Sequence, residues 1–189
     1  MSNKSLTADF PQEHFTPREM MKMALCIAFC AVSAFISFPL PFTPGLVTAL
    51  TIALTVTALV LPPRLVFITV ASYLFLGAIG LPIYPGGVGG LGRLFGPTAG
   101  FYIGWPFVCA IVSMLKGSAI NFRRYALVSV LAGVPLTYVG GVISMMLVLQ
   151  IDLWQSLGMA VLPFIPGDIL KALLAAFIGY RVNRALANR

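Results

Sequence analysis

An all-α integral membrane protein with six transmembrane helices is the fold class that this sequence predicts, on three observations. Only 9% of its 189 residues are charged while 59% are hydrophobic, whereas a soluble domain carries roughly a quarter charged residues. The mean hydropathy is +0.98. Charge-free runs of membrane-span length recur along the chain, parted by short segments rich in proline, glycine or cations.

The elements are taken in chain order. Residues 1–16 are polar and mixed and are expected to form a cytoplasmic tail, ahead of a single six-helix membrane domain over 17–189. No signal-type apolar run precedes Met20. "TPRE" supplies a helix start, with Thr16 as N-cap, Pro17 at the first helical position and Glu19 completing a capping box. Residues 23–63 carry no charge, and the three prolines of "FPLPFTPG" divide them into two spans of about 20 residues each. A third span is expected over 65–80, a fourth over 98–115 and a fifth over 125–149. The sixth starts at Pro166-Gly167-Asp168 and reaches Ala187, about 30 Å at 1.5 Å per residue.

Cation placement sets the orientation. With six spans, ten of the twelve lysines and arginines fall on one side, Arg93 alone on the other, and Lys171 inside the sixth span. Such a split places both termini in the cytoplasm. The net charge of +7 then belongs to helix ends facing lipid headgroups, and no nucleic-acid partner is expected.

Several chemistries are excluded. "GVGGLG" (residues 87–92) matches GxGxxG, but no strand precedes it and no acidic residue lies about twenty positions on, as a dinucleotide site requires. The phosphate-loop pattern GxxxxGK[ST] does not occur. The one histidine, His14, and three of the five acids, Asp9, Glu13 and Glu19, lie at the N-terminal end. No catalytic triad or metal cluster can assemble, so neither enzyme activity, cofactor nor metal is expected. Cys26, Cys30 and Cys109 sit in apolar runs and read as buried small residues.

What remains is a compact polar set. Asp168 and Lys171, three residues apart, share one face of the sixth helix. Ionisable groups at membrane depth default to a functional assignment; the alternative is an ion pair that only neutralises itself. Asp168 lies near the helix start, where it could cap. The stretch "PGGVGGLGRLFGPTAG" (residues 85–100) holds seven glycines and one arginine and reads as a lid, since irregular backbone at membrane depth is tolerated where it lines a cavity. Tyr84 and Phe95 bracket it, while Tyr102, Trp105, Phe38 and Phe42 fit an interfacial aromatic belt. Ala24, Ala28 and Ala31 make a small-residue face on the first helix that permits close helix approach.

"ISFPLPFTP", "LFLGAIGLPIYPGGVGGLGRLFGPTAGFYIGW" and "FIPGDILKA", in this order and spacing, resemble the BioY family over residues 23–187. This is the family of biotin-specific substrate-binding (S) components of energy-coupling-factor (ECF) transporters. The resemblance implies a high-affinity biotin-binding subunit of an ATP-driven vitamin uptake system. Its partners would be a transmembrane coupling protein and two ATP-binding subunits. It implies biotin contacts at Tyr84, Gly89, Gly90, Phe95, Gly96 and Tyr102 around the lid, and at Asp168 and Lys171 on the last helix. Asp168 would accept a ureido N–H; Lys171 would donate to the ureido carbonyl or balance Asp168. Arg93 is the candidate for the valerate carboxylate, its alternative being an exposed loop arginine. Ala24, Ala28 and Ala31 match the docking surface for the coupling protein. One departure is that the second span lacks the Gln-Thr pair many relatives carry. An S component for another vitamin and a stand-alone secondary transporter are the rival readings, although the ion-coupling carboxylates and inverted repeats common in the latter are not visible.

Overall fold

The computed structural model describes residues 15–188, so most of the expected tail lies outside the described residues. Helix α1 (Pro17–Phe35) starts where the capping box places it. Thr16 Oγ1 accepts from the Glu19 amide at 3.2 Å, and the Glu19 carboxylate accepts from the Thr16 amide at 2.9 Å. These bonds hold the Glu19 carboxyl below its usual range.

The proline-rich break is more ordered than a plain loop. Strands β1 (Ser37–Pro39) and β2 (Leu46–Thr48) pair antiparallel, Ser37 opposite Thr48 and Pro39 opposite Leu46. This pairing shortens the second helix. Helix α2 (Leu50–Val60) has 11 residues, not the twenty expected, because its first apolar residues go to the strand and Pro62-Pro63 stop it. At about 16 Å it is half the thickness of a bilayer core.

Helix α3 (Pro63–Ala78) begins on proline, whose missing N–H costs nothing at a first turn. The glycine-rich loop comes next, with one 3₁₀ turn, Leu91–Leu94, and leads into helix α4 (Ala99–Leu115). Helices α5 (Phe122–Val128) and α6 (Val134–Leu149) are joined by a π turn, Ser129–Gly133, into one rod of 28 residues. Pro135 has no N–H for the carbonyl four residues back, which accounts for the widened turn before it.

Sequence reading misses the short helix α7 (Leu153–Ala160), capped by Asp152, whose carboxylate accepts from the Gln155 amide at 2.9 Å. It meets α8 (Ile165–Ala187) at a bend of 51°. Six longer helical segments thus fall where six spans are expected. By length and composition, Phe122–Leu149 alone among the described residues qualifies as a crossing, with the bent α7–α8 pair as a second.

Helix α2 is the centre of the bundle, with Leu50, Ala53, Ala58 and Leu59 fully buried. Glycines let helices close on one another. A Cβ on Gly179 of α8 would stand 2.9 Å from Leu59, and one on Gly100 of α4 would stand 1.9 Å from the Gly140 carbonyl of α6. The outer surface is apolar, with Leu25, Phe29, Phe75, Phe107, Leu131, Leu170 and Phe177 exposed, as on a protein solvated by lipid. The three cysteines are free.

At the end of the bundle remote from the glycine-rich loop, α2 and α4 are tied together. Lys116 Nζ donates to the carbonyls of Ala58, Leu59 and Leu61 at 2.9, 2.8 and 2.5 Å. Ser113 donates to Leu61 at 2.7 Å and Asn183 to Leu59 at 2.9 Å. The orphan carbonyls at the end of α2 are satisfied in this way.

Candidate functional site

At the other end the elements enclose a cleft of about 640 Å³, its open mouth included. Its walls are Pro44, Gly45 and Leu46 from the hairpin, Thr48 and Thr51 from the start of α2, and Pro85 and Arg93 from the glycine-rich loop. Thr98, Phe101, Tyr102 and Trp105 come from α4, Thr137 and Tyr138 from α6, and Ala160, Phe164, Asp168 and Lys171 from the α7–α8 elbow. The hairpin is fastened to that elbow: Thr43 Oγ1 donates to the Met159 carbonyl at 2.8 Å. A Cβ on Gly45 would stand 2.9 Å from the Phe164 ring.

The charged centre of the cleft is a pair. Lys171 Nζ lies 2.6 Å from Asp168 Oδ1, the two side chains being 16% and 15% exposed. The Tyr138 hydroxyl donates to Asp168 Oδ2 at 2.8 Å, and Lys171 also donates to the Thr48 carbonyl at 3.3 Å. Asp168 does not cap α8, whose N-cap position is Phe164 and carries no side-chain cap. A half-buried ion pair is costly unless its remaining lone pairs and protons find partners, and Tyr138 and Thr48 are those partners. The pair neutralises itself, yet it also borders open space.

The glycine-rich loop divides into a fixed root and a tip. Tyr84 is completely buried and donates from its hydroxyl to the Leu74 carbonyl at 2.5 Å, against a Gly77 whose Cβ would stand 2.1 Å from the ring. Tyr73 donates in return to the Ile83 carbonyl at 2.7 Å. The Gly90 amide donates to the Gly77 carbonyl at 2.7 Å from a φ of +101°, a backbone only glycine adopts freely. These bonds tether the loop root to α3. Beyond it, Phe95 is 77% exposed.

Of the residues expected around a ligand, the cleft brings together Arg93, Tyr102, Asp168 and Lys171. Tyr84, Gly89, Gly90, Phe95 and Gly96 do not line it. Tyr84 and Gly90 belong to the tether, a Cβ on Gly89 would stand 2.3 Å from the Leu81 carbonyl, and the Gly96 carbonyl accepts from Ala99 at the start of α4. Tyr84 reaches the cleft only through other rings: its centroid is 5.0 Å from that of Tyr102, which lies 4.6 Å from that of Trp105.

Sequence reasoning missed Thr48, Thr51, Tyr138 and Phe164, and assigned Trp105 to a belt. A tryptophan and a tyrosine seven or more residues inside apolar runs were the available signal, since belt residues sit at helix ends. On α1, Ala24 and Ala28 lie on the exposed face, while Ala31 is half-buried against the core. Chemically the cleft offers one cation outside the ion pair, the pair itself and aromatic walls. That suits a small acid with a polar ring.

The sequence model described as the BioY family matches residues 4–188. The chain is 32% identical over 172 residues to the probable biotin transporter BioY of Bacillus subtilis, covering 89% of this chain and 92% of that one. It is 30% identical over 172 residues to the biotin transporter BioY of Thermotoga maritima, covering 91% and 99%. Among solved structures, it superposes with a TM-score of 0.83 on a crystal structure described as the S-component for biotin from an ECF-type ABC transporter. That match has 28% identity and covers 90% of this chain and 95% of the other.

Proposed function

This chain belongs to the BioY family, and from that premise we propose that it is the biotin-binding membrane subunit of an ATP-driven vitamin uptake transporter. The observation that carries the reading is the cleft itself, where Arg93, Tyr102, Asp168 and Lys171 converge. Biotin has a carboxylate on a flexible chain and a fused bicyclic head with two ureido N–H groups and a carbonyl. Asp168 accepts from a ureido N–H, Lys171 donates to the ureido oxygen or holds Asp168 in place, and Arg93 meets the carboxylate. Tyr102, Phe101, Trp105 and Phe164 supply apolar surface for the ring and chain. No group in this set forms or breaks a covalent bond. The ATP chemistry belongs to two partner subunits joined through a transmembrane coupling protein. That protein docks on the exposed alanine face of α1.

The membrane topology belongs to the same reading: six crossings, both termini cytoplasmic, and the cleft opening outward. In a cysteine-free background, a cysteine replacing Asp152 is expected to react with an impermeant thiol reagent in intact cells. One replacing Arg184 is expected to stay protected, and the reverse pattern would overturn the orientation.

The deciding experiment is equilibrium binding of labelled biotin to the purified chain, beside Asp168→Asn. Asp168→Asn keeps the shape and weakens the acceptor. Hydrogen bonds to charged groups contribute about 1.5–3 kcal/mol, so affinity is expected to fall roughly ten- to hundredfold. A parent that ignores biotin and binds a different vitamin would assign the cleft to another cargo.

A further inference from the structure

The Asp168 side chain ends in a soft torsion. Rotation of a carboxylate about its last bond is broad and two-fold. Lys171 lies on the same helix, three residues on, and meets one oxygen, Oδ1, at 2.6 Å. That single contact leaves the plane of the carboxylate free to turn. A second contact, on the other oxygen and from another element, defines the plane. Tyr138 supplies it from α6: its hydroxyl donates to Asp168 Oδ2 at 2.8 Å, since an ionised carboxylate can only accept. Among the described residues this is the one side-chain hydrogen bond between α6 and α8.

The two helices are held differently. Asp168 stands in the first turn of α8, next to the 51° bend. Tyr138 stands two residues before Gly140, where α6 meets α4 backbone to backbone, so that a Cβ on Gly140 would collide with the Gly100 carbonyl. The hydroxyl is therefore carried by a helix with no room to shift towards its neighbour. Tyr138 and Asp168 both line the cleft. A carboxylate has about four lone-pair sites, and Lys171 and Tyr138 engage one on each oxygen. The plane they define sets the direction from which a ligand N–H can reach the others, and a hydrogen bond weakens steeply when misaligned.

We propose that Tyr138 is a positioning residue for cargo recognition, holding the Asp168 carboxylate in the one orientation that accepts a ureido N–H. The inference rests on the biotin reading and deepens it. Tyr138 acts through Asp168: its only hydroxyl proton is spent on Oδ2, so it has none to give to the cargo.

The test uses the full chain in lipid nanodiscs, measuring dissociation constants for biotin and for desthiobiotin, which keeps the ureido ring and the carboxylate and lacks the sulfur ring. Tyr138→Phe removes the hydroxyl and keeps the aromatic ring. It is expected to weaken both ligands by the same factor, about three- to tenfold. In an Asp168→Ala background, where no carboxylate is left to orient, the same substitution is expected to have no further effect. An equal loss in both backgrounds means that Tyr138 packs or binds independently of Asp168, and overturns the proposal. A loss confined to biotin overturns it too, since it places Tyr138 against the sulfur ring. Should Asp168→Ala fail to fold, the comparison of the two ligands decides alone. A Tyr138→Phe protein that binds biotin within twofold of the parent overturns the positioning role and leaves the biotin reading standing. A parent that binds neither ligand overturns both.

Discussion

Two lysines at opposite ends of the bundle make opposite use of the same ammonium group. Lys116 gives its three protons to three carbonyls at the end of α2, and none of its donors is left over. Lys171 touches Asp168 at 2.6 Å and reaches a single carbonyl, at 3.3 Å, on the wall of a cleft. A lysine whose donors are all consumed by backbone is architecture. One that shares an ion pair at the edge of open space has capacity for a ligand. Membrane depth alone does not separate the two roles; the count of satisfied donors does.

That contrast can be broken by exchange of the readouts. Lys116→Met strands three carbonyls and is expected to destabilise the fold by about 2–4 kcal/mol, seen as a lower unfolding temperature in detergent. Biotin affinity of the folded protein should stay within about twofold. A Lys116 variant that unfolds normally but binds poorly would erase the distinction. Lys171→Ala should weaken biotin about tenfold or more; because it leaves the largely buried Asp168 unpaired, it should also lower stability by about 3 kcal/mol, so affinity is the readout that separates the two lysines. A Lys171 variant that binds biotin as tightly as the parent would mean that Lys171 is architecture as well. Ala28→Trp sharpens the comparison from a third position, because Ala28 is exposed on α1. It should change neither stability nor affinity appreciably and abolish co-purification with the coupling protein. Loss of biotin binding with assembly intact would instead make that face internal to the subunit.

The sequence carried the helical class clearly, since hydropathy and the capping box at Thr16 depend on local residues. It carried Asp168 and Lys171 for the same reason: a charged pair stands out in an apolar helix. It did not carry Tyr138, which reaches Asp168 from thirty residues away, because depth inside an apolar run sets that tyrosine apart from a belt without naming its partner. In the sequence Lys116 is one more cation at a helix end, and its hold on α2 is a tertiary fact. The short α7 was legible in principle through Asp152 and Gln155, three apart as in a helix start. Tyr84 is the instructive opposite: the resemblance names it around the ligand, while its ring is buried against Gly77, where it fixes the loop root.

The meeting of Gly100 and Gly140 has a mechanical consequence. With backbone already against backbone between α4 and α6, that side of the cleft acts as the fixed jaw of a vice. Helices cannot be squeezed past contact, so the α4–α6 side has no travel left with which to grip a cargo more tightly. Any tightening must come from the moving jaw opposite, the β1–β2 hairpin with the elbow it is fastened to, and from the 3₁₀ turn that bears Arg93.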